Sequence, residues 1–286
     1  MPPLPPNYPT RRHFIEIHDQ PWCPDVVRNA VVNILRQGWT LPYTPDVVRR
    51  HLAPVYTLVP VLRGILDRTP NVSGGDGDRR IVDLCSGMGG PMIDVARLMP
   101  DTEVSVSDLY PHPAEWQALT KGVPNASFVS RPVDACDVGA SERGLRTIMA
   151  AYHHFPPPLA EKVLASAVHD GQPIAVVELT DRTVAGMVTI VLLTTLLGVL
   201  SGIHALFTGN LMVAAMTLLV PVNLFVLVVD GITSCWRTYT VPELHALAHA
   251  ADPTGSFDWE VSERPASLPF VWWFKMRVLA GTPKRK

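Results

Sequence analysis

The chain has 286 residues, of which 47% are hydrophobic and 17% are charged, and its formal net charge at pH 7 is -2. This length allows one large domain or two small ones. The near-neutral charge gives no basic footprint for nucleic acid, so we predict no nucleic-acid partner. The four cysteines are scattered without metal-ligand spacing, so we expect reduced cytosolic thiols and no metal site.

The N-terminal part divides into a leader and a helical region. Residues 1–12 are rich in proline and lack the apolar core of a secretory signal, so we predict a flexible leader. Residues 13–76 form the predicted helical region. Apolar residues recur at helical spacing over 25–37 and 44–67, which predicts two or three helices before the main sheet.

Short apolar runs and helical stretches alternate after residue 79. Five strands are predicted at 80–84, 103–108, 127–130, 146–151 and 173–178, with helices around 93–98, 113–120 and 159–168 between them. Alternation of this kind is typical of right-handed crossovers that build a parallel sheet with helices on both faces. The sequence therefore predicts an α/β fold with a doubly wound sheet.

A glycine-rich turn follows the first predicted strand. Asp83 ends that strand, and Gly87 and Gly89 allow the backbone to approach a ligand closely. A dinucleotide fingerprint would need a further glycine where this chain has Met92, which argues against NAD. Asp108 ends the second strand, where it can accept hydrogen bonds from ribose hydroxyls, a feature of many cofactors.

Four segments are informative because of their order along the chain. Asp83 with its glycine loop, Asp108, the acidic segment at 134–137 and the Tyr152-His-His-Phe segment resemble the successive motifs of class I S-adenosylmethionine-dependent methyltransferases. The resemblance covers roughly residues 78–180 and resumes at 233–283. It implies a Rossmann-like, seven-stranded, mostly parallel sheet, whose last two strands near 258–262 and 270–280 form an antiparallel edge.

The resemblance also implies S-adenosylmethionine as the cofactor. In that family the glycine loop holds the methionine part, the acid after strand two binds ribose, and the acid after strand three meets the adenine amino group. By position, the cofactor-binding residues are Asp83, Cys85, Ser86, Gly87, Gly89, Asp108, Leu109, Asp134, Ala135 and Tyr152. Cys85 departs from the family by replacing the first glycine of the loop, which a backbone with negative φ accommodates.

Two histidines follow the fourth strand, where the resemblance places the methyl acceptor. Methyl transfer is an in-line displacement, so the protein supplies alignment, and a base only if the acceptor must lose a proton. Histidine suits that task near neutral pH. We predict His153, His154 and Glu178 as catalytic residues. The alternatives are a histidine that binds backbone beside pocket-lining aromatics, and a Glu178 that serves as a helix-start or salt-bridging acid.

A hydrophobic insertion separates the two parts of the resemblance. Between Arg182 and Asp230 the chain has no Asp, Glu, Lys or Arg. The halves 184–207 and 211–229 are each long enough to cross a bilayer as a helix. We therefore predict that residues 183–230 form a helical hairpin that dips through a membrane and returns, with its ends in one compartment.

Other uses of the insertion stay open. Two buried helices could cap a hydrophobic pocket or form a dimer core. Gly198 and Gly202 lie one helical turn apart, which favours close packing against the second half or against another copy of the chain. A homo-oligomer is therefore a possible assembly.

The predicted domain organisation leads to a functional hypothesis. Residues 77–182 and 231–286 form the cofactor-binding domain, and the hairpin anchors it to a membrane with the catalytic domain on the cytoplasmic side. The chain is then a membrane-associated methyltransferase for a hydrophobic small molecule or lipid. The alternatives are a membrane-anchored methyltransferase for a soluble or protein substrate, and a cofactor-binding membrane scaffold without catalysis.

Overall fold

The computed structural model describes residues 10–69, 79–139, 141–266 and 274–284. Residues 1–9 of the predicted leader and residues 270–273 of the last predicted strand lie outside these ranges.

Three helices precede the sheet. They are α1 (Asp25–Gly38), α2 (Asp46–Leu52) and α3 (Pro54–Arg68). Each begins at or just after a proline, whose fixed φ suits the first turn of a helix. The prediction of two or three N-terminal helices is confirmed.

A seven-stranded sheet forms the centre of the molecule. Its strands are β1 (Arg80–Asp83), β2 (Glu103–Val106), β3 (Ala126–Phe128), β4 (Leu145–Met149), β5 (Ile174–Glu178), β6 (Phe257–Pro265) and β7 (Lys275–Pro283). The strand order is β3-β2-β1-β4-β5-β7-β6. The first five strands pair in parallel, whereas β7 is antiparallel to both β5 and β6. The predicted seven-stranded, mostly parallel sheet with an antiparallel edge is confirmed.

Helices cover both faces of the sheet, as predicted. The connections contain α4 (Met92–Leu98), α5 (Pro113–Thr120), α6 (Pro157–Asp170) and α10 (Val241–Ala251). One apolar core contains residues of α3 and α4, and the other contains residues of α6 and α10. Because β1, β4 and β5 are buried on both faces, their carboxyl ends are held firmly at one edge, where polar residues emerge.

The hydrophobic insertion folds into helices, but its second half is broken. It contains α7 (Val184–Phe207), α8 (Leu211–Ala214), a π-helical turn and α9 (Val222–Arg237). The chain bends by 67° before α9. Pro221 has no N–H to donate and its ring clashes with the preceding turn, so one continuous helix over 211–229 was the wrong expectation.

The insertion packs on itself and on α1. The space beside Gly198 is filled by Leu224 and Leu227 of α9, so a side chain at this position would collide with them. Gly202 in the same way faces Thr217 and Leu218. The glycine step therefore serves the internal packing of the insertion. Helix α1 also contacts both α7 and α9, so the insertion is joined to the N-terminal helical region.

Helix α7 has its polarity reversed relative to a helix of a water-soluble domain. Most of its buried residues are small or carry a hydroxyl group: Thr189, Ile190, Thr194, Gly198, Ser201, Gly202 and Ala205. Its exposed side carries Val184, Val188, Leu192, Leu196, Ile203 and Phe207. Within the described residues, α7 is long and apolar enough to cross a membrane, and 33% of its most apolar window is buried.

Candidate active site at the carboxyl ends of the strands

Asp83 holds the glycine loop against the neighbouring strands. Ser86 Oγ donates to Asp83 Oδ2 at 2.7 Å, and Thr147 Oγ1 of β4 donates to Asp83 Oδ1 at 2.7 Å. Burial raises the pKa of Asp83 to about 7; the charge of Asp108 adds to this effect, and the two hydroxyl donors oppose it. Asp83 thus fixes the start of the loop from inside the protein.

The loop itself is bound to the end of β2. The Gly87 N–H donates to Asp108 Oδ2 at 2.9 Å, and Trp116 Nε1 donates to the Gly87 carbonyl at 2.9 Å. The second oxygen of Asp108 accepts from the Tyr110 N–H at 2.9 Å. Gly87 has φ +47°, and no described atom lies within 4 Å of the position a Cβ would take. The loop therefore leaves room for a ligand beside Gly87.

The other predicted cofactor residues differ in their exposure and in their hydrogen bonds. Asp134 Oδ1 accepts from the Cys136 N–H at 2.8 Å and so shapes its own turn. Leu109 is 45% exposed, whereas Ala135 is buried. Tyr152 is buried and donates its hydroxyl to the Ala160 carbonyl at 2.8 Å, so that hydroxyl is already used within the protein.

Cys85 lies beside the same apolar core as Tyr152. Its burial raises the pKa of the thiol well above the ordinary value. The side chain therefore behaves as a small apolar group at the start of the loop.

His153 and Glu178 lie in direct contact. His153 belongs to the short helical turn that follows β4, and Glu178 ends the adjacent parallel strand β5. The His153 backbone N–H donates to Glu178 Oε1 at 3.0 Å, and His153 Nδ1 lies 2.9 Å from Glu178 Oε2. Both side chains are buried. The structure thus joins two of the three predicted catalytic residues.

A third carboxylate, missed in the sequence, completes this cluster. Glu16 Oε1 lies 3.6 Å from His153 Nε2, and Glu16 Oε2 lies 3.6 Å from His154 Nε2. These distances are too long for hydrogen bonds. Burial by itself lowers the pKa of His153, but the charges of Glu178 and Glu16 outweigh it and raise that pKa to about 10.

Glu16 is brought there by an N-terminal strap, which we define as residues 10–20. Asp230, Ser234 and Arg237 share one face of α9 and bind the strap. Asp230 Oδ1 accepts from the Ile17 N–H at 2.6 Å. Ser234 Oγ and Arg237 Nη1 donate to Glu16 Oε1 at 3.0 and 3.1 Å.

Arg11 ties the start of the strap to the same edge. Its Nη2 donates to the carbonyls of His153 and Phe155 at 3.0 and 3.1 Å, and its guanidinium lies 4.2 Å from the centre of the Tyr239 ring. Residues 10–12, part of the leader expected to be flexible, are therefore held in place. A usable signal was present in the sequence, because His13, Glu16, His18 and Asp19 crowd together just before α1.

The comparisons with known proteins yield solved structures only. No family model and no curated protein matches the chain. The plantazolicin methyltransferase BpumL in complex with S-adenosylhomocysteine is similar at 11% identity, with 91% of this chain and 98% of that chain covered and a TM-score of 0.48. Magnesium protoporphyrin IX methyltransferase from Synechocystis PCC 6803 is similar at 12% identity, with 91% of this chain and 97% of that chain covered and a TM-score of 0.48.

A third similar structure is an O-methyltransferase from neocarzinostatin biosynthesis, in complex with S-adenosylhomocysteine and 1,4-dihydroxy-2-naphthoic acid. It has 14% identity, with 91% of this chain and 69% of that chain covered and a TM-score of 0.45. The strand order of the sheet, rather than these likenesses, carries the assignment of the fold.

Proposed function

We propose that the chain is an S-adenosylmethionine-dependent methyltransferase. The observation that carries this proposal is the bonded assembly of Asp83, Ser86, Gly87 and Asp108 at the carboxyl ends of β1 and β2, in a sheet with an antiparallel seventh strand. Ligands of doubly wound sheets bind at such ends. The open space beside Gly87 suits a ligand that approaches the backbone closely.

The proposed cofactor site extends along the edge of the sheet. The cofactor supplies a methyl group activated by the positively charged sulfur. We assign the glycine loop to the methionine part, Asp108 and Leu109 to the ribose, and Asp134 and Ala135 to the adenine. Asp83, Cys85, Ser86 and Tyr152 then support this site from below, since their polar atoms are bound within the protein or their side chains are largely buried.

Calorimetric titration with S-adenosylmethionine tests this site. We expect Asp108→Ala to weaken binding by about tenfold or more, because a lost hydrogen bond to a charged group costs roughly 1.5–3 kcal/mol. Asp258→Ala is the matched control, since this carboxylate is exposed on β6 and should not affect binding. Folded wild-type protein that gives no heat with the cofactor would refute the proposal.

We place the methyl acceptor beside His153, His154 and Glu178. These residues stand at the ends of β4 and β5, next to the proposed methionine position, and they can align the acceptor and favour loss of its proton. We expect Glu178→Gln to lower kcat by roughly 100-fold with little change in cofactor affinity, as an alignment or proton-transfer role requires. Equal losses in cofactor binding and in kcat would instead indicate a structural role.

We also propose that the protein is membrane-associated through the exposed side of α7, with its catalytic part on the cytoplasmic side. The reversed polarity of α7 supports this, because exposed leucine and valine with buried threonine and serine suit a surrounding of lipid. The free cysteines are consistent with a reducing compartment. Since α7 begins soon after Glu178, a hydrophobic small molecule or lipid is the proposed acceptor.

Flotation with lipid vesicles tests this association. The double change Leu192→Gln and Leu196→Gln removes two exposed leucines, each worth roughly 1.5–3 kcal/mol on burial in an apolar phase, so vesicle binding should fall by at least about 100-fold. Folding stability should change little, because both positions are exposed. Val47→Gln on α2, another exposed apolar position, is the control. Unchanged flotation of the double variant would contradict the assignment.

A further inference from the structure

We propose that Glu16, His153 and His154 bind one divalent transition-metal ion at the acceptor end of the site. Glu16 comes from the strap, and both histidines come from the turn after β4. One donor atom from each residue lies within 4.8 Å of the other two. A set of imidazole nitrogen and carboxylate oxygen suits Zn²⁺ and its neighbours in the first transition row.

The first support is an unsatisfied atom. His153 is 3% exposed, and among the described residues its Nε2 has no hydrogen-bond partner. A buried polar atom without a partner costs roughly 1–3 kcal/mol. Glu178 occupies Nδ1 of the same ring, so Nε2 is the nitrogen that faces Glu16 and His154. Coordination of an ion would displace the proton from Nε2 and satisfy that atom.

The second support is the spacing of the donor atoms. Each histidine Nε2 lies 3.6 Å from its own oxygen of Glu16. Two ligands bound at about 2.1 Å to a tetrahedral ion lie about 3.4 Å apart. Both separations exceed a hydrogen bond and approach the edge of such a tetrahedron, and no two of the three donor atoms lie more than 4.8 Å apart. Because the two separations involve different oxygens of Glu16, the carboxylate would bind through both oxygens or turn to present one of them.

The third support is the set of groups behind the ligands. Metal-binding histidines usually have a carboxylate, carbonyl or water at the other ring nitrogen, which orients the ring. Here His153 Nδ1 lies 2.9 Å from Glu178 Oε2, and His154 Nδ1 lies 3.1 Å from Asp19 Oδ2. The two histidines differ in one contact, because Arg237 Nη1 also lies 3.2 Å from His154 Nδ1. Glu178 therefore supports His153 alone, whereas Asp19 shares the nitrogen of His154 with Arg237.

The local charge also favours a cation. The carboxylates gathered by the strap and the histidines are Glu16, Asp19, Glu178 and Asp230, and the guanidinium groups among them are Arg11 and Arg237. Arg237 opposes a nearby ion, since its Nη1 lies 3.1 Å from Glu16 Oε1. The carboxylates outnumber the guanidinium groups by two. His18, whose Nδ1 lies 2.7 Å from Asp230 Oδ2, can balance one of these charges, so a proton on His153 or His154, or a divalent ion, must balance the remainder.

The inference deepens the proposed methyl transfer and rests on it for its role. An ion held there would attract an oxygen acceptor, such as a phenol, alcohol or carboxylic acid, and lower the pKa of its proton. That proton leaves to solvent. The acceptor oxygen then bonds to the methyl carbon as the carbon–sulfur bond of the sulfonium breaks, which leaves a neutral thioether.

Titration of the full-length, chelator-treated protein with Co²⁺, followed by visible absorption, tests the site directly. We expect saturation at one ion per chain and displacement by Zn²⁺. Glu16→Gln and His153→Asn should abolish the saturable signal, while Asp19→Asn and Glu178→Gln should weaken Co²⁺ binding by roughly 10–100-fold through loss of the supporting carboxylate. His169→Asn is the matched control, since this exposed histidine also lies beside an aspartate.

The readouts separate this inference from the proposed function. Absence of a saturable Co²⁺ signal in the wild type, or equal Co²⁺ binding by folded His153→Asn, would overturn the metal site. If the buried variants do not fold, Asp19→Asn decides, because the Asp19 side chain is 38% exposed; unchanged Co²⁺ binding there also counts against the site. Cofactor binding by the wild type is measured on the same sample by calorimetry. If the wild type binds Co²⁺ but not the cofactor, only the methyltransferase proposal is refuted.

Discussion

The glycine loop lies at the same edge of the sheet as the strap cluster, by which we mean Glu16, His153, His154, Glu178 and Arg237. The two are built in opposite ways. The loop is assembled from the ends of β1, β2 and β4, and its hydrogen bonds join Asp83 to Ser86 and Thr147. It depends on backbone conformation and on neutral hydroxyl donors. A change in the loop should therefore act through backbone strain or through the protonation of one acid.

The strap cluster instead depends on compensation between buried charges. Glu16 and Arg237 come from distant parts of the chain and meet with both side chains almost fully buried. A charged group removed from water is stable only when it is paired. Loss of one partner therefore leaves the other charge buried without compensation. The two regions should thus differ in how strongly a single substitution affects them.

Loss of a buried charge in the cluster should have the largest effect. Arg237→Met removes the guanidinium that donates to Glu16 and to the Phe14 carbonyl. We expect the free energy of unfolding to fall by roughly 3–5 kcal/mol, as for other broken buried pairs. Urea unfolding measures it. Arg68→Met is the control, because its ion pair with Glu260 is exposed and should contribute at most about 1 kcal/mol. Equal losses in the two variants would remove the contrast between cluster and surface.

The glycine loop should instead affect how the free energy of unfolding depends on pH. The pKa of Asp83 is raised from 3.8 to about 7, so this acid favours the folded state only at low pH, and that advantage is lost as the pH rises towards 7. Asp83→Asn cannot ionise. Relative to this variant, the wild type should lose up to about 4 kcal/mol of stability between about pH 4 and pH 7.

Urea unfolding at intervals across that range measures the difference. Taking wild type minus variant cancels the titration of every group that does not interact with Asp83, and the altered hydrogen bonds to Ser86 and Thr147 give an offset that does not depend on pH. Asp258→Asn, at an exposed aspartate, should give a difference near zero throughout. Parallel stability curves for wild type and Asp83→Asn would show that Asp83 does not titrate in this range.

The same contrast explains what could be predicted from the sequence. The strands and the loop follow from local patterns, since apolar runs end in Asp83, Asp108 and Glu178 and parallel strands place their ends at one edge. Order along the chain was therefore enough to predict the parallel part of the sheet and to place Asp83 and Asp108 at one edge, whereas the seven strands and the antiparallel edge were implied by the resemblance to methyltransferases. Contact between His153 and Glu178 follows from the pairing of β4 with β5.

Contacts across the whole chain were beyond this kind of reasoning. Glu16 reaches His153 only because Asp230, Ser234 and Arg237 of α9 bind the strap. The sequence of α9 does not indicate that this face binds a segment more than 200 residues earlier in the chain. The break before α9 was readable, because Pro221 stands within the second apolar half. Hydrophobic composition outweighed that proline when one continuous helix was expected.

The smallest expected effect tests whether the glycine loop depends on its backbone conformation. Gly89 has φ +84°, and a Cβ there would lie 3.0 Å from Leu119 Cδ1 and 3.2 Å from Trp116 Cδ1. Gly122 has φ +79°, yet no described atom lies within 4 Å of its Cβ position. Changing each to alanine separates backbone strain from crowding. Gly122→Ala should cost roughly 1–2 kcal/mol from the left-handed backbone alone.

Gly89→Ala should cost more than this, because Trp116 also donates to the Gly87 carbonyl and cannot move without disturbing the loop. Thermal unfolding measures both costs, and calorimetry with S-adenosylmethionine shows whether the loop still binds. We expect weaker cofactor binding for Gly89→Ala alone, since only that position contacts the side chain that holds Gly87. Equal thermal shifts and unchanged cofactor binding in both variants would mean that crowding at Gly89 is relieved without cost, so that Trp116 is not what fixes the loop.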